Sequence, residues 1–129
     1  MRVIETVALM HEVREALPRP VAMMATLGGM HAGHEALLER ARREGASLVA
    51  SLFLNPTQFD DPEDLARYPT DRERDLEIFR SRGVDVVFAP TVEEMYPPGS
   101  STVVDPGPVA RVLEGAHRPG HFRGVATVA

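Results

Sequence analysis

Short runs of consecutive apolar residues alternate along this chain with longer segments in which apolar residues recur every three or four positions. The runs have the length of buried strands, and the longer segments have the period of amphipathic helices. The predicted strands are Arg2–Glu5, Val21–Ala25, Ser47–Leu54 and Val84–Ala89, with an edge strand at Thr102–Val104. Because strands and helices follow one another in turn, the pattern predicts an α/β fold with a parallel sheet and helices on its faces.

Polar residues, prolines and glycines mark the ends of the first two predicted helices. Thr6 offers a hydroxyl N-cap to a helix that the break at Pro18–Pro20 ends. A second helix is predicted from about His31 to Glu44, with Gly45 as its stop. Its apolar stripe consists of Leu37, Leu38 and Ala41.

The later helices are predicted from their start signals. Asp61-Pro62 places an N-cap before a proline at the first helical position. Thr70–Glu73 is a capping box that opens a helix ending at Gly83, and Thr91–Glu94 is a second capping box. Residues 108–114 are predicted as a short helix.

Two polar clusters follow predicted strands, one at Thr26–His34 and the other at Asn55–Phe59. In open α/β sheets, ligands bind beyond the carboxyl ends of the strands. We therefore expect the two clusters to face one site.

The sequence His31-Ala32-Gly33-His34 follows a strand and a glycine turn, and it opens a helix. Gly28 and Gly29 allow a sharp turn and close approach of a ligand, and the N–H groups of a helix start favour phosphate oxygens. The spacing of three places both imidazoles on nearly one face, where they can stabilise charge on a leaving pyrophosphate. Gly33 leaves room for a purine or a triphosphate.

Alternative interpretations of an isolated histidine pair are a surface coincidence, a helix-cap effect or part of a zinc site. The chain has no cysteine and no HExxH motif, which argues against zinc. The strand, glycine turn and helix around the pair favour nucleotide binding.

Composition narrows the class of protein. With 129 residues, 43% of them apolar, the chain can bury a core, but no apolar run approaches the roughly 20 residues of a membrane span. A net charge of −5 argues against a general nucleic-acid binder, although a local phosphate site stays possible. The absence of cysteine excludes a thiolate metal site and a thiol nucleophile, and it fits a cytoplasmic protein.

The stretch Ala25–His34 resembles the segment PTMGALHEGH of the pantothenate synthetases. The HxGH element alone is shared by many nucleotidyltransferases. Four further stretches resemble segments of this family in the same order: Ser51–Phe59, Glu63–Pro69, Val84–Tyr96 and Leu113–Gly124. The resemblance therefore covers nearly the whole chain and is specific to one family.

This resemblance implies a Rossmann-like sheet of the HIGH-type nucleotidyltransferase fold. Residues 1–129 correspond to the N-terminal nucleotide-binding domain in truncated form, without the rest of that domain and without the small C-terminal domain. The implied reaction is ATP-dependent ligation of (R)-pantoate and β-alanine through a pantoyl adenylate, with release of AMP and pyrophosphate. The resemblance further implies ATP as a substrate with Mg²⁺, a place in coenzyme A biosynthesis, a cytoplasmic homodimer, and no nucleic-acid or membrane partner. The fragment itself is expected to be inactive or weakly active.

The resemblance also implies roles for individual residues. The ATP-binding residues are Leu27, Gly28, Gly29, Met30, His31, Ala32, Gly33 and His34, and none is a metal ligand. His34 corresponds to the catalytic acid, and His31 is its partner at the phosphates. Gln58 corresponds to the glutamine that contacts pantoate and the β-alanine pocket, with Asn55 in support and Leu27 on the pocket wall. Ala25 replaces the proline of the family, which loosens the backbone and predicts weaker binding of pantoate. Leu27 replaces the methionine of the family and keeps its apolar volume, so little effect is expected.

Two other functions are compatible with the residues of this chain. One is another HxGH adenylyltransferase, against which the stretches around Gln58 and His121 argue. The other is a non-catalytic nucleotide-binding or dimerisation module. The basic residues near the end of the chain are expected to serve structure rather than phosphate binding: His117, Arg118, His121 and Arg123.

Overall fold

Four segments of the chain form one parallel sheet in the computed structural model, which describes all 129 residues. The strands are β1 (Arg2–Ile4), β2 (Val21–Thr26), β3 (Ser47–Leu52) and β4 (Val86–Phe88). They lie in the order β1-β4-β3-β2, and every pair is parallel. The predicted α/β fold is confirmed.

Seven α-helices connect or follow the strands. They are α1 (Val7–Ala16), α2 (Ala32–Glu44), α3 (Pro62–Arg67), α4 (Arg72–Ser81), α5 (Val92–Met95), α6 (Glu114–His117) and α7 (His121–Val128). Two 3₁₀ turns cover Pro56–Gln58 and Pro108–Arg111. The predicted caps Thr6 and Asp61 accept hydrogen bonds from the first turns of α1 and α3.

Alternate residues of the strands point to opposite faces of the sheet, and helices cover both faces. Val49 and Val86 pack with Val13 of α1 on one face. On the other face, Ala50 and Val87 belong to the larger core. That core takes Leu38 from α2 and Phe79 from α4, both fully buried.

Arg42 fixes the end of α2 to the amino-terminal edge of the sheet. Its guanidinium donates to the carbonyl oxygens of Gly45 at 2.7 Å and Ala46 at 2.6 Å. It also donates to Gly83 O at 3.3 Å and to Asp85 Oδ2 at 2.9 Å. One side chain therefore joins the end of α2 to the segment before β4.

The chain divides into two compact units. The first consists of residues 1–54 and 69–94, and it contains the sheet. The second consists of residues 55–68 and 95–129. In the second unit, Gly124 of α7 packs against the 3₁₀ turn Pro56–Gln58. A Cβ added to Gly124 would lie 2.3 Å from Thr57 O. The assignment of residues 1–129 to a single domain stays a prediction.

Three local predictions were wrong. Asp71 rather than Thr70 caps α4, because its Oδ1 accepts from Arg74 N at 3.0 Å and aspartate is as good an N-cap as threonine. Leu37 is 57% exposed, because the buried stripe of α2 passes through Leu38 and leaves its neighbour on the outer face. Thr102–Val104 forms no strand, since Val104 N donates to Thr127 Oγ1 instead of to a neighbouring strand.

Candidate functional site

The turn that follows β2 is held in a conformation that favours glycine. Gly28 has φ +99° and Gly29 has φ +67°, both in the left-handed region. The N–H of Gly28 donates to Thr26 Oγ1 at 3.1 Å. An added Cβ on Gly28 would lie 2.9 Å from Asp75 Oδ2, so the position also lacks space for a side chain.

Asp75 of α4 binds the same turn from the other side. Its Oδ2 accepts from Gly29 N and its Oδ1 from Met30 N, each at 2.9 Å. Asp75 is 1% exposed and Met30 is 2% exposed. The turn is therefore anchored to the core through a buried carboxylate.

His31 is the N-cap of α2. Its Nδ1 accepts from Gly33 N at 3.1 Å, and since a backbone N–H can only donate, Nδ1 carries no proton. The neutral ring therefore carries its proton on Nε2, where it can donate to a ligand. An added Cβ on Gly33 would lie 3.0 Å from His31 Cε1, so this glycine leaves the space that the His31 ring occupies.

His34 lies directly beside His31, as the spacing of three predicts. The centroids of the two rings are 4.0 Å apart, with an interplanar angle of 36°. Nδ1 of His34 is buried and has no hydrogen-bond partner. Desolvation lowers the pKa of His34, the neighbouring His31 lowers it further, and the Asp75 carboxylate opposes both by raising it. His34 is thus held towards its neutral form.

The backbone donors of this segment are mostly engaged within the protein. The N–H groups of Gly28, Gly29, Met30 and Gly33 all have protein partners. These four N–H groups are therefore not free in this structure, and the role of the segment in ATP binding stays a prediction. The exposed ring of His31 and the half-buried ring of His34 are the polar side chains that the HxGH segment presents.

A small cavity opens at the carboxyl edge of the sheet, beside this turn. Its volume is about 140 Å³. Its lining includes Leu27 and Gly28 after β2, Ala89 after β4, and Thr70 and Asp75 around the start of α4. Ligand pockets are usually about 300–1,000 Å³, so this cavity fits a small group rather than a whole nucleotide.

The second polar cluster is centred on Asn55, which is 1% exposed. Its Oδ1 accepts from Thr57 N at 3.3 Å, from Thr57 Oγ1 at 2.8 Å and from the Tyr96 hydroxyl at 2.8 Å. Its Nδ2 donates to Gly124 O at 3.1 Å and to Gln58 Oε1 at 3.0 Å. Asn55 thus joins three segments of the second unit.

The contacts of Asn55 determine the orientation of the Gln58 amide. Thr57 N can only donate and Gly124 O can only accept, so the oxygen and the nitrogen of Asn55 are unambiguous. The atom of Gln58 that faces Asn55 Nδ2 must therefore be Oε1. Nε2 of Gln58 is left as a donor, which suits a carboxylate or a hydroxyl oxygen.

The basic residues near the end of the chain take part in the internal contacts of the second unit. His121 Nδ1 lies 3.0 Å from Gln58 O, and Arg118 lies 3.6 Å from both Asp64 Oδ2 and Glu114 Oε1. These contacts support the structural role that the sequence predicts for Arg118 and His121.

Asp75 is the residue of this site that the sequence analysis missed. The available signal was its position four residues before Phe79 on the buried stripe of α4, where a charged residue is unusual.

No group of three or more histidine or acidic side chains is placed to hold a metal ion. No helix combines the length and the apolar character needed to cross a bilayer.

Comparison with known proteins gives consistent matches. The family model for pantoate-beta-alanine ligase matches residues 2–129. The pantothenate synthetase of Roseiflexus sp. (strain RS-1) is 53% identical over 128 residues, which are 99% of this chain and 46% of that protein.

Two solved structures are also similar. Pantothenate synthetase from Thermus thermophilus is 55% identical with a TM-score of 0.88, over 99% of this chain and 46% of that one. Pantoate-beta-alanine ligase from Francisella tularensis, complexed with beta-gamma ATP and beta-alanine, is 36% identical with a TM-score of 0.93, over 99% of this chain and 50% of that one. The chain spans about half the length of the relatives it matches. With the HxGH turn and the family match over residues 2–129, this chain belongs to the pantoate–β-alanine ligase family.

Proposed function

We propose that this chain supplies the nucleotide-binding part of an enzyme that ligates pantoate and β-alanine with the use of ATP. The observation that carries the proposal is the pair of imidazoles, 4.0 Å apart, at the start of α2 in a member of this family. In the proposed reaction, the pantoate carboxylate attacks the α-phosphorus of ATP and pyrophosphate leaves. The amine of β-alanine then attacks the acyl carbon of the adenylate, and AMP leaves.

The histidines act on the triphosphate in this proposal. Nε2–H of His31 donates to a phosphate oxygen, and the positive end of the α2 dipole adds to the attraction. The triphosphate is strongly anionic, so it raises the pKa of His34 and favours its protonated form. A protonated His34 stabilises the charge that grows on the leaving pyrophosphate and acts as the catalytic acid.

Gln58 binds pantoate in this proposal. Its Nε2 is the donor that the amide of Asn55 leaves available, and the carboxylate and hydroxyls of pantoate are acceptors. A fixed amide suits a substrate whose carboxylate must be aligned for attack, because orientation lowers the entropic cost of the reaction. Leu27, half-buried at the cavity beside the turn, supplies an apolar contact for pantoate.

Mg²⁺ enters this proposal as part of the substrate. It is normally held by phosphate oxygens and one or two carboxylates, with several waters retained.

We also propose that the protein is cytoplasmic and a homodimer, as the resemblance to the family implies. Light scattering coupled to size exclusion tests the dimer, and a monomer at micromolar concentration contradicts it.

Two other functions are distinguishable from pantoate ligation. The match of the family model over residues 2–129 favours pantoate ligation over another HxGH adenylyltransferase. A non-catalytic module that keeps the fold is distinguished by experiment, because such a module does not release pyrophosphate from ATP.

The test is calorimetric titration of the chain with Mg²⁺ and a non-hydrolysable ATP analogue, beside His34→Ala. We expect saturable binding by the chain and at least tenfold weaker binding by the variant. His11→Ala is the matched control, because His11 lies exposed on α1 and outside the HxGH turn. A folded chain that binds no analogue, or equal affinity in His34→Ala, contradicts the proposed nucleotide site.

A second assay addresses the chemistry. Pantoate-dependent release of pyrophosphate from ATP tests adenylate formation, and β-alanine-dependent release of AMP tests the second step. Nucleotide binding without pyrophosphate release supports the non-catalytic module for this length of chain.

A further inference from the structure

Asp75 is a buried carboxylate whose hydrogen bonds serve the turn before the histidine pair. Both of its oxygens accept from backbone N–H groups of that turn, those of Gly29 and Met30, at 2.9 Å. No arginine, lysine or histidine forms a salt bridge with it. A carboxylate is costly to bury unless hydrogen bonds compensate for the lost water, and here the turn supplies them.

The position of Asp75 in α4 makes this burial costly. Phe79, one turn further along the helix, is completely buried in the core, and Asp75 is 1% exposed on the same side. An apolar residue at this position would pack in the core at no electrostatic cost. It would leave the N–H groups of Gly29 and Met30 without acceptors, which is also unfavourable.

The carboxylate and the turn are complementary in shape. Gly28 has no space for a Cβ because Asp75 Oδ2 lies 2.9 Å from where that atom would be. The backbone at Gly28 and Gly29 is left-handed, and the N–H groups that follow point at the two oxygens. Asp75 therefore contacts the turn by which the chain leaves β2 and enters α2.

The histidines follow this path without a break. His31 is the residue after Met30 and begins α2 as its N-cap, and His34 lies one turn further on. A change in the path of residues 28–30 would rotate the start of α2 and separate the two rings. Asp75 also acts on His34 through its charge, since it raises the pKa that desolvation and His31 lower.

We propose that Asp75 is a positioning residue, which fixes the Gly28–Met30 turn from α4 so that α2 begins with His31 and His34 side by side. It contacts no reacting atom in this proposal. The inference rests on the proposed function for its consequence in ATP binding. Its structural content concerns the chain without ligand and can be tested separately.

The test compares Asp75→Asn with Asp85→Asn by NMR spectroscopy of the labelled chain. Asparagine keeps the shape of Asp75 but replaces one acceptor by an NH₂ group that faces a backbone N–H. Asp85 also accepts from a backbone N–H, that of Leu48 at 2.8 Å, but it lies at the amino-terminal edge of the sheet. It therefore controls for loss of a carboxylate that caps a backbone donor.

In Asp75→Asn we expect amide exchange of Gly29 or Met30 to be at least tenfold faster. We also expect the pKa of His34 to fall further below its ordinary value. Affinity for the ATP analogue should fall at least tenfold. In Asp85→Asn, all three quantities should equal those of the unaltered chain at a temperature where both variants are folded.

Several results overturn the inference. One is a folded Asp75→Asn variant in which amide exchange at Gly29 and Met30 is unchanged. Another is a folded Asp75→Asn variant in which the pKa of His34 is unchanged. Equal changes in Asp85→Asn do so too, because they indicate a general loss of stability. If Asp75→Asn does not fold, amide exchange is measured in the unaltered chain instead. Exchange of the Gly29 and Met30 amides there at the rate of an exposed loop overturns the inference.

The proposed function and this inference fail in different ways. An unaltered chain that binds no ATP analogue contradicts the proposed function, while the exchange rates and the pKa of His34 still test Asp75. An unaltered chain that binds the analogue, with Asp75→Asn binding it equally well, contradicts the inference alone.

Discussion

Nδ2 of Asn55 donates to Oε1 of Gln58 over 3.0 Å, and this contact decides which end of the glutamine amide is free to bind a ligand. Asn55 can hold this orientation because its own amide is fixed by the backbone N–H of Thr57 and the carbonyl of Gly124. A buried asparagine can therefore determine which atom of a neighbouring glutamine amide is left as a donor.

Replacement of Asn55 by aspartate should destabilise the second unit. One carboxylate oxygen would face Gly124 O and Gln58 Oε1, both acceptors, in a site that is 1% exposed. A buried group that loses its partners costs about 1–3 kcal/mol, and more when it is charged. We expect Asn55→Asp to lower the free energy of unfolding at neutral pH by about 3 kcal/mol, measured by urea denaturation.

The pH dependence of this variant is diagnostic. A protonated carboxyl group can donate where asparagine donates, so part of the lost stability should return as the pH is lowered towards about 4. A loss that is equal at both pH values contradicts the assigned orientation.

Gln58→Glu should separate ligand binding from stability. Glutamate keeps an acceptor for Asn55 Nδ2 but replaces the free donor by a second oxygen, which repels the pantoate carboxylate. We expect the free energy of unfolding to change by less than about 1 kcal/mol. Pantoate affinity, measured by calorimetry with the ATP analogue present, should fall at least tenfold. Unchanged affinity for pantoate would contradict the proposed contact between Gln58 and pantoate.

Substitution by alanine should lower the free energy of unfolding more at Gly28 than at Gly99. Both glycines have left-handed backbone, with φ +99° and +86°, so alanine costs about 1–2 kcal/mol at each from conformation alone. At Gly99 no atom lies within 4 Å of an added Cβ, whereas at Gly28 Asp75 Oδ2 is 2.9 Å away. We expect Gly28→Ala to lose at least about 3 kcal/mol and Gly99→Ala about 1 kcal/mol, by thermal denaturation. Equal losses would show that the turn can move away from Asp75.

His34 should make the chain less stable in mild acid. Desolvation and His31 lower its pKa, so the unfolded chain binds the proton more readily than the folded one. The contribution of His34 to stability is therefore complete above the ordinary histidine pKa of about 6.5 and is lost as the pH falls through the lowered value. We expect the fall in melting temperature between about pH 7 and pH 5 to be smaller in His34→Gln than in the unaltered chain.

The control for this prediction is His11→Gln, which replaces an exposed histidine on α1. It should leave the pH dependence unchanged. A pH dependence in His34→Gln that matches the unaltered chain contradicts a lowered pKa at His34.

Arg42→Lys should be costly although the charge is kept. The planar guanidinium donates to three carbonyl oxygens and to Asp85, and an ammonium on a flexible stem cannot reach all four. We expect a loss of about 1–2 kcal/mol in the free energy of unfolding. Arg40→Lys is the control, since Arg40 makes an exposed pair with Glu44 and should change stability by less than about 0.5 kcal/mol.

The order of elements could be predicted from the sequence because apolar runs, caps and glycines are local signals. The strand at Val21–Thr26 and the helix ending before Gly45 follow from such signals, and the structure confirms both. Thr102–Val104 was predicted wrongly because β-branched residues favour a strand only where another strand is present to pair with. The half-exposed Val103 and Val104 have no such neighbour.

The histidine pair could be predicted from spacing, whereas the contact of Asp75 with the turn could not. His31 and His34 are three residues apart at the start of a helix, so their spacing predicts that the two rings lie on nearly one face. Asp75 contacts a turn 45 residues earlier, and that contact exists only after α4 has packed on the sheet. The proximity of the two rings could be predicted from the sequence, but the support of the turn by a residue of α4 could not.

Gly124 reverses the usual ranking of residues in a helix. Glycine in a helix interior costs roughly 0.5–1 kcal/mol relative to alanine, so consensus design of α7 would remove it. Here the missing methyl group allows the backbone of Thr57 to come within contact, and the Gly124 carbonyl accepts from Asn55. A substitution that strengthens the isolated helix would thus disturb the residue that orients Gln58. Helix propensity and the packing of α7 on the Asn55–Gln58 segment oppose one another at this position, so thermostabilised variants of this chain should be chosen with Gly124 held fixed.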